Sequence, residues 1–300
     1  MSSQPFDIEI AAAAAPSRRR QWWLAAVKFS REKPLGAAGA WIVIIMILAA
    51  LCADFISPYN PLATDYGAML GAPSAEHWLG TDEFGRDLLT RIIYGARTAL
   101  LVGFAAAFIG ATLGLVIGVA SAYFGGWIDL VIQRIVDIFI SFPLVILALA
   151  VVAALGTGTD RVILAILIPM IPRAARICRS GALAIREMPY VDAARAAGFQ
   201  DARIILRHML PNVVAAYLIV LTSFLGQAIL LEATLSFLGL GVQEPTPAWG
   251  LMLQGGAEEY AESAPWIAVF PGLAITLAVF AFNLFGDSLR DILDPKLRSR

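Results

Sequence analysis

The sequence is poor in charge and almost without lysine. Charged residues make up 15% of its 300 positions and hydrophobic ones 59%, whereas soluble chains carry roughly 25% and 45–50%. Lys28, Lys33 and Lys296 are the only lysines, and none follows a glycine. The chain therefore has no G-x-x-x-x-G-K-[ST] phosphate loop and lacks the means to bind and hydrolyse ATP itself. Two cysteines, Cys52 and Cys178, are too few for a disulfide framework or a Cys-rich metal site. Two histidines, His77 and His208, have no second histidine or carboxylate at ligand spacing, so no metal site is expected. The mean hydropathy of +0.75, gathered into long runs, also excludes a secreted scaffold, a disordered tail and a nucleic-acid binder.

Uncharged sequence is what the chain has in abundance. A helix needs about 20 apolar residues to cross roughly 30 Å of hydrocarbon. Leu35–Ala53 supplies 19, Thr98–Phe124 27, Ile138–Leu155 18, Val213–Leu231 19 and Ala264–Gly286 23. A sixth run, Val162–Pro172, has only 11 and reaches full length if Arg173 and Arg176 snorkel toward water. The first run follows a 34-residue polar lead and is longer than the roughly 7–15-residue apolar core of a signal peptide, so it reads as a retained span. The expected fold is an all-α polytopic membrane protein with six transmembrane helices.

Basic residues orient it. The lead holds Arg18, Arg19, Arg20, Lys28, Arg31 and Lys33, and the tail holds Arg290, Lys296, Arg298 and Arg300. Between spans 4 and 5 lie Arg173, Arg176, Arg179, Arg186, Arg195, Arg203 and Arg207, so 17 of 22 basic residues share one side. The other side has Arg86, Arg91, Arg97 and Arg161, and the segment between spans 5 and 6 carries only acids, Glu244, Glu258, Glu259 and Glu262. Both termini and the 4–5 segment are expected in the cytoplasm.

That 38-residue segment, 173–210, is long enough to serve a partner. Pro189 sits where a helix begins and Gly198 where one stops. Between them Val191, Ala194 and Ala197 share a stripe, and Asp192 pairs with Arg195 at i, i+3. The reading is a short, smooth helix suited to a groove on another protein, or simply a surface helix linking two spans. Span 2 carries Ala106, Gly110, Gly114, Gly118 and Ala122 at four-residue spacing, a stripe for close helix packing in lipid. Arg134 and Asp137, at the start of span 3, form an ion pair or line a translocation path; Gln227 and Glu232 in span 5 are further candidates for such a path. Pro143, Pro169, Pro172 and Pro271 suggest kinks.

The run Tyr190-Val191-Asp192-Ala193-Ala194-Arg195-Ala196-Ala197-Gly198, followed after nine residues by His208-Met209-Leu210-Pro211, resembles the E-A-A…G…I-x-L-P signature of bacterial ABC importer membrane subunits. Ala193, Ala194, Gly198, Leu210 and Pro211 match it; Asp192 replaces the usual Glu and His208 the usual Ile. Gly80-Thr81-Asp82-Glu83-Phe84-Gly85-Arg86-Asp87, Ser236-Phe237-Leu238-Gly239-Leu240-Gly241, Pro247-Ala248-Trp249-Gly250 and Asp291-Ile292-Leu293-Asp294-Pro295 extend the resemblance to the second permease subunit of dipeptide, oligopeptide and nickel importers. The resemblance implies a type I ABC importer permease core with one extra N-terminal helix. Its parts would be a cytoplasmic lead (1–34), the extra helix with its external segment (35–97), the core (98–286) and a cytoplasmic tail (287–300). It implies a bacterial inner-membrane subunit whose coupling helix, from Tyr190 to Gly198, docks into one of two ATPase subunits. The other implied partners are a homologous permease, an extracytoplasmic binding protein and membrane lipid. This chain would hold no cofactor, ATP and Mg being bound by the ATPase subunits. The alternative is a secondary transporter or channel not driven by ATP, although the chain has no duplicated halves. An intramembrane hydrolase would need a second acid beside Asp137.

Overall fold

The structure, a computed structural model, describes residues 27–293. The lead up to residue 26 and the tail from 294, with Asp294 and Pro295 of the closing motif, lie outside the described residues. Among those described, the chain is almost wholly helical; its β pairing is one isolated bridge, Thr81 with Asp87.

Helix α1 (Pro34–Leu51) opens on a proline, whose missing N–H costs nothing in a first turn. Its Gly39 lies so close to the last helix that a Cβ there would stand 2.6 Å from the Ala281 carbonyl oxygen. Lys33 Nζ reaches Asp291 at 2.6 Å at one end, and Asp54 accepts from Arg97 Nη2 at 2.8 Å and from Tyr94 at 2.6 Å at the other.

Helix α2 (Leu88–Phe124) is 37 residues long, roughly 55 Å at 1.5 Å per residue. It begins ten residues before the uncharged run at Thr98 that was expected to open the span. Asp87 caps it, accepting from the Thr90 N–H at 2.8 Å, and Arg91 and Arg97 fit inside because carboxylates meet them. Gly125, with φ +62°, stops it.

The third span differs from the single run expected at Ile138–Leu155. Helix α3 (Gly126–Ser141) and helix α4 (Leu144–Leu155) meet at 93°. Pro143 is the cause: it cannot donate an N–H, and it drives Phe142 into extended backbone (φ −86°, ψ 139°).

Helix α5 (Thr159–Arg186) absorbs Pro169 and Pro172 and continues 14 residues past the end of its apolar run. It packs along α2 through the small-residue stripe, with Ala106 and Ala122 fully buried. A Cβ on Gly114 would lie 2.3 Å from Ala174 Cβ, and one on Gly118 would lie 2.4 Å from the Ala175 carbonyl oxygen. Gly114→Leu should therefore force the helices apart and cost roughly 3 kcal/mol. Thermal unfolding in detergent checks this, with Gly272→Ala as control, since a Cβ at Gly272 meets only Leu253 Cδ1 at 3.8 Å.

After an arm described below come α7 (Leu210–Phe237), α8 (Trp249–Glu258) and α9 (Trp266–Leu293). The arm includes helix α6 (Pro189–Ala196). Among the described residues four helices are long and apolar enough to cross a membrane, and the bent α3–α4 pair has the length and composition of a fifth span or of a re-entrant loop. Helix α5, whose second half carries Arg173, Arg176, Arg179 and Arg186, lies beside α2 at the depth of Gly110 to Gly118. The bundle thus has an arginine-rich end, where α2 and α5 finish, and an opposite end, where α2 starts and α7 finishes.

Candidate functional site: the arm at the arginine-rich end

The arm runs from the end of α5 to the start of α7. Pro189 occupies the first turn of α6, Asp192 lies toward the helix's positive end, and Arg195 Nη1 donates to Asp192 at 3.3 Å. The helix closes as a C-cap turn: the Gly198 N–H donates to the Arg195 carbonyl at 2.9 Å and the Phe199 N–H to the Ala194 carbonyl at 3.1 Å. Gly198 holds φ +75° in open space.

The expected stripe is divided. Val191 and Ala194 face inward, buried with Val119, Ala122, Tyr123, Cys178, Ala182, Ile204, Met209 and Val213 in a second small core beneath the arm. Ala197 is exposed, together with Tyr190, Asp192, Ala193 and Gly198. A three-residue helix spacing puts Val191 and Ala194 on the anchoring face, so the outward surface is polar and small rather than apolar.

Two joints fasten the arm. At α2, Tyr123 Oη donates to Asp201 Oδ1 at 2.5 Å, the Arg195 guanidinium lies 5.3 Å from the Tyr123 ring centre, and Arg186 Nη1 donates to the Ala122 carbonyl at 3.0 Å. At α7, a π-turn spans Ile205–Met209, in which the Leu210 N–H reaches back five residues to the Ile205 carbonyl. Pro211 explains the widening: lacking an N–H, it cannot serve the Arg207 carbonyl, and its ring crowds the turn before it. The His208 carbonyl is taken instead by Asn212 Nδ2 at 2.7 Å, with Tyr190 Oη at 3.4 Å. The His208 ring stacks on Phe199 at 6.0 Å. Tyr123, Arg186, Asp201 and Asn212 carry no signal in the sequence alone; they are recognised only once the arm is folded back onto α2.

The four residues considered for a path separate. Arg134 and Asp137 line a cavity of about 540 Å³ between α3 and α5, together with Asp129, Gln133, Arg176 and Arg179. Asp137 is paired with Arg176, and Arg134 stays 3.9 Å away; Asp129 pairs with Arg179. Glu232, 1% exposed, accepts from Ser236 Oγ at 2.7 Å and leaves its second oxygen unpartnered. Gln227 is half-buried on the same helix.

At the opposite end the Gly80–Asp87 run folds around charges. The Asp82 carboxylate accepts the backbone N–H groups of Phe84 and Arg86, both at 2.9 Å, and Arg86 Nε at 2.6 Å. Arg86 and the fully buried Arg91 also reach Glu244, at 2.8 and 3.3 Å, tying the start of α2 to the segment after α7. Burial pushes the nearby Glu83 carboxyl above its ordinary range. His77 Nδ1 lies 3.0 Å from Asp87. Among the described residues no three His, Cys, Asp or Glu side chains gather as a metal site would need.

Residues 110–299 match the family described as "Binding-protein-dependent transport system inner membrane component", and residues 20–73 match the "N-terminal TM domain of oligopeptide transport permease C". The chain is 43% identical to the dipeptide transport system permease protein DppC of Alkalihalophilus pseudofirmus, over 92% of this chain and 91% of that protein. It is 46% identical to a putative peptide transport system permease protein of Brucella suis, over 92% of each. With the glutathione transport system permease protein GsiD of Shigella flexneri it shares 45% identity, over 89% and 88%. A subunit in an inward-facing structure of the MetNI methionine ABC transporter has the same fold at a TM-score of 0.55, with 20% identity, over 68% of this chain and 96% of its own.

Proposed function

The chain belongs to the binding-protein-dependent transport system inner membrane components, and we propose that it is the permease subunit that passes peptides, or a related small solute such as a nickel chelate, into the cytoplasm. Its inner-membrane family and its peptide-transporting relatives support the substrate class. In this reading the arginine-rich end faces the cytoplasm with both termini, and α6 is the coupling helix received by an ATPase subunit. A second, homologous permease completes the pathway, two ATPase subunits bind and hydrolyse MgATP below it, and an extracytoplasmic binding protein delivers the solute.

The observation that carries the reading is the exposed face of α6, from Tyr190 to Gly198, presented outward while Val191 and Ala194 anchor the helix on the ends of α2, α5 and α7. The sequence has no phosphate loop, so an ATP-driven stroke would enter through a surface of this kind. ATP-driven closure of the ATPase pair would push on α6 and rock the bundle between two accessible states. The domain parts 1–34, 35–97, 98–286 and 287–300 follow from the same reading.

The test is uptake in proteoliposomes holding both permeases, the ATPase subunits and the binding protein. A labelled dipeptide is expected to accumulate only with hydrolysable ATP on the ATPase side. Accumulation driven by an ion gradient without ATPase subunits would overturn the proposal in favour of a secondary transporter.

A further inference from the structure

We infer that Tyr123 is a positioning residue that carries the stroke of the arm into α2, while the π-turn at 205–209 lets α7 yield. The inference rests on the proposed coupling role of α6 and goes further by assigning which membrane helix is driven. A load placed on α6 can leave the arm through α5, from which the arm continues, through α2 and through α7, and the contacts differ in stiffness. Toward α2 the arm is held by a buried core that joins Val191 and Ala194 to Val119 and Ala122 and by the Tyr123–Asp201 hydrogen bond at 2.5 Å, and Arg186, closing α5, donates to the Ala122 carbonyl beside them. A hydrogen bond to an ionised acceptor is among the stronger and shorter kinds. Tyr123 is 7% exposed, while its acceptor Asp201 sits at the exposed rim of the joint.

Toward α7 the same core reaches Met209 and Val213, but the chain there passes through a π-turn, a single-turn bulge whose hydrogen bonds span five residues. Pro211 removes the N–H that would serve the Arg207 carbonyl in an α-register, and the exposed His208 carbonyl next to it accepts from the side chain of Asn212. The joint can therefore change register without leaving a buried backbone group unpaired. Beyond Tyr123, α2 is clasped to α5 at Gly110, Gly114 and Gly118, where its backbone approaches that of α5 closely. Displacement of the Tyr123 end thus moves α2 and α5 as one body, and α7 follows through its bulge.

The experiment uses the reconstituted four-component transporter and reads peptide moved per ATP hydrolysed. Tyr123→Phe keeps the ring beside Arg195 and removes the hydroxyl; Asp201→Ala removes the acceptor. Each is expected to lower the ratio about tenfold, the scale of one hydrogen bond to a charged group. The double variant should be no worse than either single one, and Asp201→Asn, which still accepts, should recover most of the ratio. The ATPase subunits should co-purify at unchanged stoichiometry throughout. An unchanged ratio in Tyr123→Phe, additive losses in the double variant, or loss of ATPase subunits would each overturn the inference. Gly198→Val run in parallel separates it from the parent reading: normal coupling in that variant would mean that α6 itself does not couple.

Discussion

Gly198→Val is expected to lower ATP-driven uptake by about tenfold or more, the factor that corresponds to about 1.4 kcal/mol, while the complex still assembles. The backbone at Gly198 has φ +75°, a conformation that costs a β-branched residue roughly 1–2 kcal/mol. Two hydrogen bonds depend on it, from the Gly198 N–H to Arg195 and from the Phe199 N–H to Ala194. An added Cβ meets nothing within 4 Å in this chain, so the bundle is not strained, and the loss falls on the shape that α6 offers to its receiver. Gly198→Asn separates two causes, because asparagine tolerates the left-handed region. Uptake kept by Asn and lost by Val assigns the effect to the backbone turn; uptake lost by both assigns it to bulk at the docking surface. Uptake kept by both would remove α6 from the mechanism.

Asp82→Ala should produce the largest loss of stability, about 3–5 kcal/mol. The Arg86 and Arg91 side chains it faces are 6% and 0% exposed; they share Glu244, which is 43% exposed, and their other polar partners are Glu83 at 3.5 Å from Arg86 and the Pro61 carbonyl at 3.2 Å from Arg91. Removing Asp82 strands positive charge away from water and frees the backbone N–H groups of Phe84 and Arg86. The thermal unfolding midpoint of the purified chain is expected to fall by about 10 °C. Asp82→Asn, which keeps acceptors for those N–H groups but not the charge, should lose less. Asp82→Ala combined with Arg86→Met should recover part of the fall, since a buried cation is removed with its partner. A midpoint within 2 °C of the parent chain, well inside the expected shift, would show that water reaches both guanidiniums.

Much of this architecture is legible in the sequence because lipid leaves the backbone few options. Long uncharged runs mark α1, α2, α7 and α9, and Pro189 and Gly198 bracket α6 within two residues of its ends. Where charges are matched by distant partners, the reading stops short. Arg91 and Arg97 look like the outside of a span, yet both lie within α2, since Glu244 and Asp54 meet them from 153 and 43 positions away. Pro143 announces a kink, but a sharp turn of 93° rather than a gentle one depends on what α3 and α4 pack against. The amphipathic helix α8 escapes notice because its ten residues sit among short turns with no long apolar run. The arm is the clearest case. Its helix is readable from spacing, whereas the face it presents is not, because Val191 and Ala194 turn inward onto residues from three other helices. The π-turn follows from Pro211 only once the continuity of α7 with the helical residues from Asp201 onward is seen.

The side of the membrane on which the arm lies decides the account most directly. Ala197 is small and exposed on α6, so Ala197→Cys introduces a thiol there with little disturbance, after Cys52→Ser and Cys178→Ala remove the native ones. The account predicts that a membrane-impermeant maleimide leaves this thiol untouched in intact cells. It should label the thiol in inside-out vesicles stripped of ATPase subunits, and much more slowly when they are restored. Rapid labelling in intact cells would place α6 outside the cell and contradict the account.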